Sequence, residues 1–269
     1  MTCTNFPSAG LVIGVTTHQV GEIIYLWSGA VWEAIAPPIP LYDDLYFKKS
    51  AIATQIEIGL NSDAGAEQSV TIVGNDASAI APGSVAIGFN ATGEYSAVQE
   101  PDINIAQTVT VGWNAKSSGS RGTAVGIGTE AHQHASGYGR FAKALGYRSV
   151  AIGDSAEVPL VSPIQGNNTG DTIAIGYFTL SDASQCISIG SQGVNGKRTN
   201  ASQPNCIAIG QGANIKERGF GTSDDSIVIG NMASTSGSVD APSTAASVVV
   251  GFEATVESFN CVAVGRQAK

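Results

Sequence analysis

The stretch Gly139–Val158, GRFAKALGYRSVAIGDSAEV, decides the fold. It holds glycines at 139, 146 and 153 and ends in the phrase Ser-Val-Ala-Ile-Gly-x-x-Ala. Close copies follow and precede it: SVAIGFNA from Ser84, TVTVGWNA from Thr108, CIAIGQGA from Cys206, SIVIGNMA from Ser226, SVVVGFEA from Ser247 and CVAVGRQA from Cys261. Weaker copies lie around Gly59, Gly74, Gly128, Gly176 and Gly190. A repeat this dense is the mark of a solenoid, whose units are too small to bury an apolar face alone and do so by stacking.

The glycine spacing selects the type of solenoid. Gly74 to Gly88, Gly176 to Gly190 and Gly251 to Gly265 are all 14 residues apart, and the wider gaps read as the same unit with insertions. Leucine-rich, ankyrin and tetratricopeptide units are longer and contain helical segments, for which these units have no room. The residues three before and one before the glycine are β-branched, as in Val85 and Ile87 or Ile227 and Ile229. Positions two apart on a strand share a face, so these pairs are expected to point into the coil. The glycine supplies the corner. The fold class expected is all-β, a parallel β-solenoid.

On the opposite face stands the residue two before each glycine: Ala86, Thr110, Ala151, Ala174, Ser188, Ala208, Val228, Val249 and Ala263. A solvated strand face favours charged or amide side chains. Small uncharged residues there suit the close approach of another flat surface and, together with the resemblance described below, lead to the expectation of a homotrimer of parallel rolls with these nine residues as its interface, against the plainer reading of a monomer with one bland face.

Composition narrows the function. The net charge is −9, so three chains would carry about −27, which disfavours nucleic acid and anionic membrane as partners. No run of 18 apolar residues occurs, so no membrane insertion is expected. The start, MTCTNFPSAG, lacks the basic and apolar segments of a secretory signal, which points to assembly in the cytoplasm. Cys186, Cys206 and Cys261 occupy the position four before the glycine, where other units carry Ser or Thr, and read as reduced structural side chains. No C-x-x-C spacing supports zinc or redox chemistry.

Two domains are expected. Residues 1–50 hold seven of the aromatic residues, including Tyr25, Trp27 and Trp32, in a hairpin-like run, VGEIIYLWSGAVWEAI, centred on Ser28-Gly29; Pro37, Pro38 and Pro40 then mark a spacer. Residues 51–269 form the roll. Its polar insertions, 161–171, 191–205, 211–225 and 233–245, are expected to leave at equivalent points and form one ragged edge.

The repeat phrase with glycines at 7 and 14 resembles the head domain of trimeric autotransporter adhesins (YadA-like), over most of residues 51–269. That resemblance implies a left-handed parallel β-roll that forms tight homotrimers and acts as a surface-binding rod. Similar rolls occur in bacteriophage tail fibres, spikes and head decorations, which attach by a short N-terminal module. Taken as a whole chain without signal, heptad stalk or membrane barrel, the sequence reads as such a virion protein, structural and adhesive. It would dock on a capsid or tail protein through residues 1–50 and touch a host glycan or protein. A passenger fragment of a cellular adhesin is the alternative, and a polysaccharide-processing β-helix enzyme the second.

Candidate chemistry is sparse. His132-Gln133-His134 would face one way on a strand, and three chains would bring six imidazoles to an axial transition-metal ion; two solvated histidines are the plainer reading. Asp43-Asp44 and Asp224-Asp225 are adjacent and splay apart on an extended chain, unlike a glycosidase pair. No catalytic residue is expected. Trp27, Trp32 and Tyr25 are the docking or glycan-stacking candidates, with module core as the competing role. Phe89, Trp113, Tyr177 and Phe252 follow repeat glycines and read as edge packing, with exposure as a binding stripe the alternative.

Overall fold

The computed structural model describes residues 17–20, 23–27, 32–35, 55–64, 69–94, 107–160, 170–215, 225–235, 246–257 and 260–269. The chain divides into two compact units, Met1–Lys49 and Ser50–Lys269.

In the first unit β1 (Thr17–Val20), β2 (Ile23–Trp27) and β3 (Trp32–Ile35) form an antiparallel meander in the order β1-β2-β3. Trp27 and Trp32 face each other in the ladder across residues 28–31, as the hairpin reading requires. The strand before them, THQV, carries no periodic signal of its own and was not foreseen.

The second unit is a parallel β-roll, all-β apart from one short 3-10 turn at Val194–Gly196 among the described residues. Each coil contributes two strands. The first is the three-residue segment before the repeat glycine, and these build a 13-stranded sheet, here the long sheet; the second, two or three residues long, lies four to six residues after the glycine and builds an 11-stranded sheet, the short sheet. Every strand pairs in parallel with its counterpart one coil on. Val150, Ala151 and Ile152 sit opposite Ile173, Ala174 and Ile175, and Lys116 opposite Glu130.

Two tight corners close each coil. In the coil containing SVAIGDSA, Arg148 and Ser155 take φ of 52° and 56°, and the same two positions are left-handed in most other coils. A non-glycine residue in that region costs about 1–2 kcal/mol, so the ladder bonds between coils hold the corners. Gly112 shows why its position is fixed: its φ is +138°, and a Cβ there would collide with the carbonyl of Gly126 in the next coil. The glycines thus form a stacked column along the roll.

The interior reverses the expected sidedness. Ala151 is fully buried between the sheets, whereas Ile152 beside it is 39% exposed. The same holds for Ala86, Thr110, Ala174, Ser188, Ala208, Val228, Val249 and Ala263, all buried within a single chain. These nine side chains therefore point into their own roll and cannot meet a partner. The β-branched pairs point outward. The physical reason is thickness: the inward residues of the short sheet, such as Ala79, Ala131, Ala144 and Ala201, and the small residue, usually alanine, three after most glycines fill the same narrow space. Valine or isoleucine enters it at a minority of inward positions, such as Ile72, Val158, Ile215, Val228, Val249 and Val256, and small residues fill the rest. Several buried hydroxyls are bonded between coils, as in Thr108 Oγ1 donating to Ser84 Oγ at 3.0 Å and Thr172 Oγ1 to the Ala183 carbonyl at 3.1 Å, whereas those of Ser117, Ser120 and Thr235 have no partner among the described residues. Cys186 takes the same role, its Sγ 2.6 Å from the Gln203 carbonyl.

The insertions do not leave at one point. The extra residues of the Gly190–Gly210 coil include the 3-10 turn and lie just after the glycine corner, and Asn200–Ala201 rejoins the short sheet. Of the other three, 161–169, 216–224 and 236–245 lie outside the described residues, and each follows the short-sheet strand instead.

Candidate interaction surfaces

The two sheets turn unlike faces outward. On the long sheet, the residues three and one before each glycine stack into two columns: Val85, Val109, Val150, Ile173, Ile187 and Ile207 in one, Ile87, Val111, Ile152, Ile175, Ile189 and Ile209 in the other. Thr71, Thr123, Ser136 and Tyr138 are the exceptions among the described coils. Thirteen rungs about 4.8 Å apart give an apolar face roughly 58 Å long, larger than the patches soluble monomers leave wet.

The short sheet is its opposite. Lys116, Glu130, Lys143 and Glu157 lie in register on successive rungs, so charges of alternate sign run up its outer face. Lys116 also pairs with Glu94 at 3.0 Å and Glu157 with Arg198 at 3.0 Å. Such half-exposed pairs contribute little stability, about 0–1 kcal/mol each; what they establish is that this face suits water.

The glycine corners carry a third surface. Phe89 and Trp113 on adjacent coils are 51% and 57% exposed and meet edge to face, with centroids 6.4 Å apart. Ile127 continues the column, and the Phe141 ring lies over Gly128 beside it. Next to the rings the Asn90 amide donates to Asn114 Oδ1 at 2.8 Å. Tyr177 and Phe252 are also exposed. These aromatics are thus presented outward, which favours the exposed stripe over edge packing.

The remaining candidates are separated. His132 lies at the outer end of the short sheet, while His134 sits in the following turn with φ of 56°, its ring edge-on to Tyr147 at 5.3 Å. The turn is closed by the Ala135 N–H donating to the His132 carbonyl at 3.1 Å. The pair is therefore not on one strand: His132 follows the short-sheet strand Glu130–Ala131, and His134 occupies the second left-handed corner. Among the described residues no three His, Cys, Asp or Glu side chains are grouped to hold a metal ion. Burial lowers the His132 pKa, with Glu130 opposing and Lys116 assisting. Burial likewise pushes the Cys186 thiol up to about 12, against a backbone hydrogen bond from Cys206. At the last coil a cavity of about 360 Å³ is lined by Thr255, Val256, Glu257, Cys261, Val262 and Lys269. Trp27 and Trp32 pair in register and Tyr25 pairs with Ala34, all in the first unit.

Two stretches of the chain, residues 73–96 and 139–156, match the family profile described as YadA head domain repeat. Both fall on coils of the roll, the second on the stretch with which the repeat was first read. No curated protein matches the chain. The YadA head is a structural, adhesin domain that forms homotrimers. The molecule is accordingly a parallel β-roll that is similar, over these coils, to the YadA head repeat.

Proposed function

We propose that this chain is a non-enzymatic structural and adhesive protein that works as a homotrimeric rod, three rolls packed by their long-sheet faces with the charged short sheets toward water. The observation that carries the reading is the contrast between the two outer faces. Columns of valine and isoleucine on one side and an alternating Lys-Glu ladder on the other are what a roll with one dry and one wet side requires. The interface is thereby moved from the nine small residues to the β-branched pairs. Sedimentation of the purified chain tests it: a trimer is expected, and a stable folded monomer at micromolar concentration overturns it.

The setting we propose is a tailed-bacteriophage virion, as a fibre, spike or capsid decoration. The first unit, a separate three-stranded meander, would fasten the rod to a capsid or tail protein, and the roll would project toward the host surface. Immunogold labelling of purified particles with antibody to the roll should decorate the virion. Labelling confined to bacterial cell envelopes would favour the head of a cellular adhesin instead.

A further inference from the structure

Three flat faces around a three-fold axis form a triangular prism whose edges are not free to choose partners. The strands of the long sheet run across the rod, so each face has a glycine edge, where strands end, and an opposite edge, where they begin. Rotation by one third of a turn brings the glycine edge of one chain against the opposite edge of the next, never against itself; the contact is heterologous and the ring closes after three.

The contents of the two edges are complementary. The glycine edge carries the exposed rings of Phe89, Trp113 and Phe141 with Ile127, continuous with the outward Ile87 and Val111 of the apolar sheet. The opposite edge carries the second corner of the coils, left-handed at Gly83 and Arg121, with the Gln107 side chain against Gly83 and Arg121 in the next coil, Gln107 and Arg121 both exposed. The chain covers other corner aromatics with its own arginines: Arg140 lies over Phe141, at the end of this same column, at 5.5 Å, Arg198 over Phe178 at 5.6 Å and Arg266 over Phe252 at 5.5 Å. Among the described residues no cation lies over Phe89 or Trp113. An arginine from the neighbouring edge would supply the same contact.

We propose that the aromatic corner of Phe89, Trp113, Ile127 and Phe141 is covered by the Gln107–Arg121 corner of a second copy, forming a head-to-tail seam along each edge of the trimer. The proposal rests on the three-roll reading and specifies which surfaces meet in it.

Paired cysteines test it on the full chain. Residues 107 and 113 bracket one strand and lie roughly 20 Å apart within a chain at about 3.3 Å per residue, far beyond disulfide reach. In a background with Cys3→Ser and Cys261→Ser, Trp113→Cys is combined with Gln107→Cys or, to allow a one-coil offset, with Arg121→Cys. Oxidation with copper phenanthroline is expected to give a covalent trimer from at least one combination, and uncrosslinked chains from Trp113→Cys alone. Variants that sediment as trimers without crosslinking overturn the seam while leaving the trimer intact, and so do dimers from the single variant. A parent chain that sediments as a monomer overturns both readings. Where paired cysteines block assembly, dilution of the otherwise unaltered chain decides: Trp113→Phe should retain trimer affinity and Trp113→Ala weaken it at least ~10-fold, with equal affinities refuting the seam.

Discussion

Ile152 and Ala151 are neighbours on one strand, and the structure assigns them opposite consequences. Ile152 points outward between Tyr138 and Ile175, with 39% of its surface exposed in the single chain. Complete burial of such a side chain contributes about 1.5–3 kcal/mol, so covering the remaining two fifths is worth about 1 kcal/mol per chain. Three symmetric copies give about 3 kcal/mol per trimer, roughly a 150-fold change in the association constant at 1.4 kcal/mol per decade. Ile152→Ala should therefore shift dissociation by nearly this much, and Ile152→Asp by more, because three unpaired carboxylates would enter a dry interface. Neither change touches the interior, so the β spectrum of the roll at high protein concentration should be retained by Ile152→Ala. Ala151→Leu is the counterpart. It forces a large side chain among Ala142, Ala144 and Ala156, and overpacking of this kind costs about 1–3 kcal/mol, read as a lower melting temperature. Sedimentation velocity over a dilution series, with circular dichroism in parallel, separates the two. The reasoning is refuted if Ile152→Asp associates as tightly as the parent, or if Ala151→Leu weakens association without lowering the melting temperature.

Other outcomes follow from the same coil. Gly112→Ala should lower the melting temperature sharply, since it combines a positive φ with a clash against the Gly126 carbonyl, while Gly170→Ala, whose Cβ would meet Tyr147 at an ordinary 3.4 Å, should be tolerated in the same thermal scan. The Cys186 thiol, pushed up to about 12, should resist thiol reagents at about pH 8 until the chain is denatured, and Cys186→Ser should melt within a few degrees of the parent because serine fills the same position at Ser84 and Ser149. His132 has a folded-state pKa below its ordinary 6.5, so as pH falls the unfolded chain takes the proton first. Its contribution to stability is complete above 6.5 and is lost as pH drops from there through the folded-state value. Urea midpoints at about pH 7.5 and about pH 5 should converge in His132→Gln relative to the parent; an unchanged difference would rule His132 out as the source.

The period and the parallel coils were legible because glycine spacing and β-branched pairs are local signals. Sidedness was not. The expectation treated each strand as an ordinary half-buried one, in which the bulkier residues go inward. In this roll both inward layers come from the same 14 residues, and most inward positions hold Gly, Ala, Ser or Thr, with valine and isoleucine such as Val158 and Val249 in the minority. The clue was present in the small residue, alanine in most coils, three after the glycine: with Ala151 and Ala156 both small, the coil leaves little interior for the side chain of Ile152. The short-sheet strands, two or three residues of unremarkable sequence such as Lys143–Ala144, had no pattern of their own and are defined only by the coil beneath. The exposed setting of Phe89 and Trp113 depends on a corner conformation that the sequence does not specify. The histidine pair was misplaced for a related reason: the second left-handed corner falls on His134 and ends the strand geometry on which a shared direction depended.

Since each coil carries its own share of the small-residue filling, the dry columns and the wetted ladder, gain or loss of one 14-residue module alters nothing in the cross-section. It changes the length of the roll by about 4.8 Å and, in the trimer proposed above, the contact between chains by one proportional increment. Length and cohesion of that trimer are thus tied to the same count of coils.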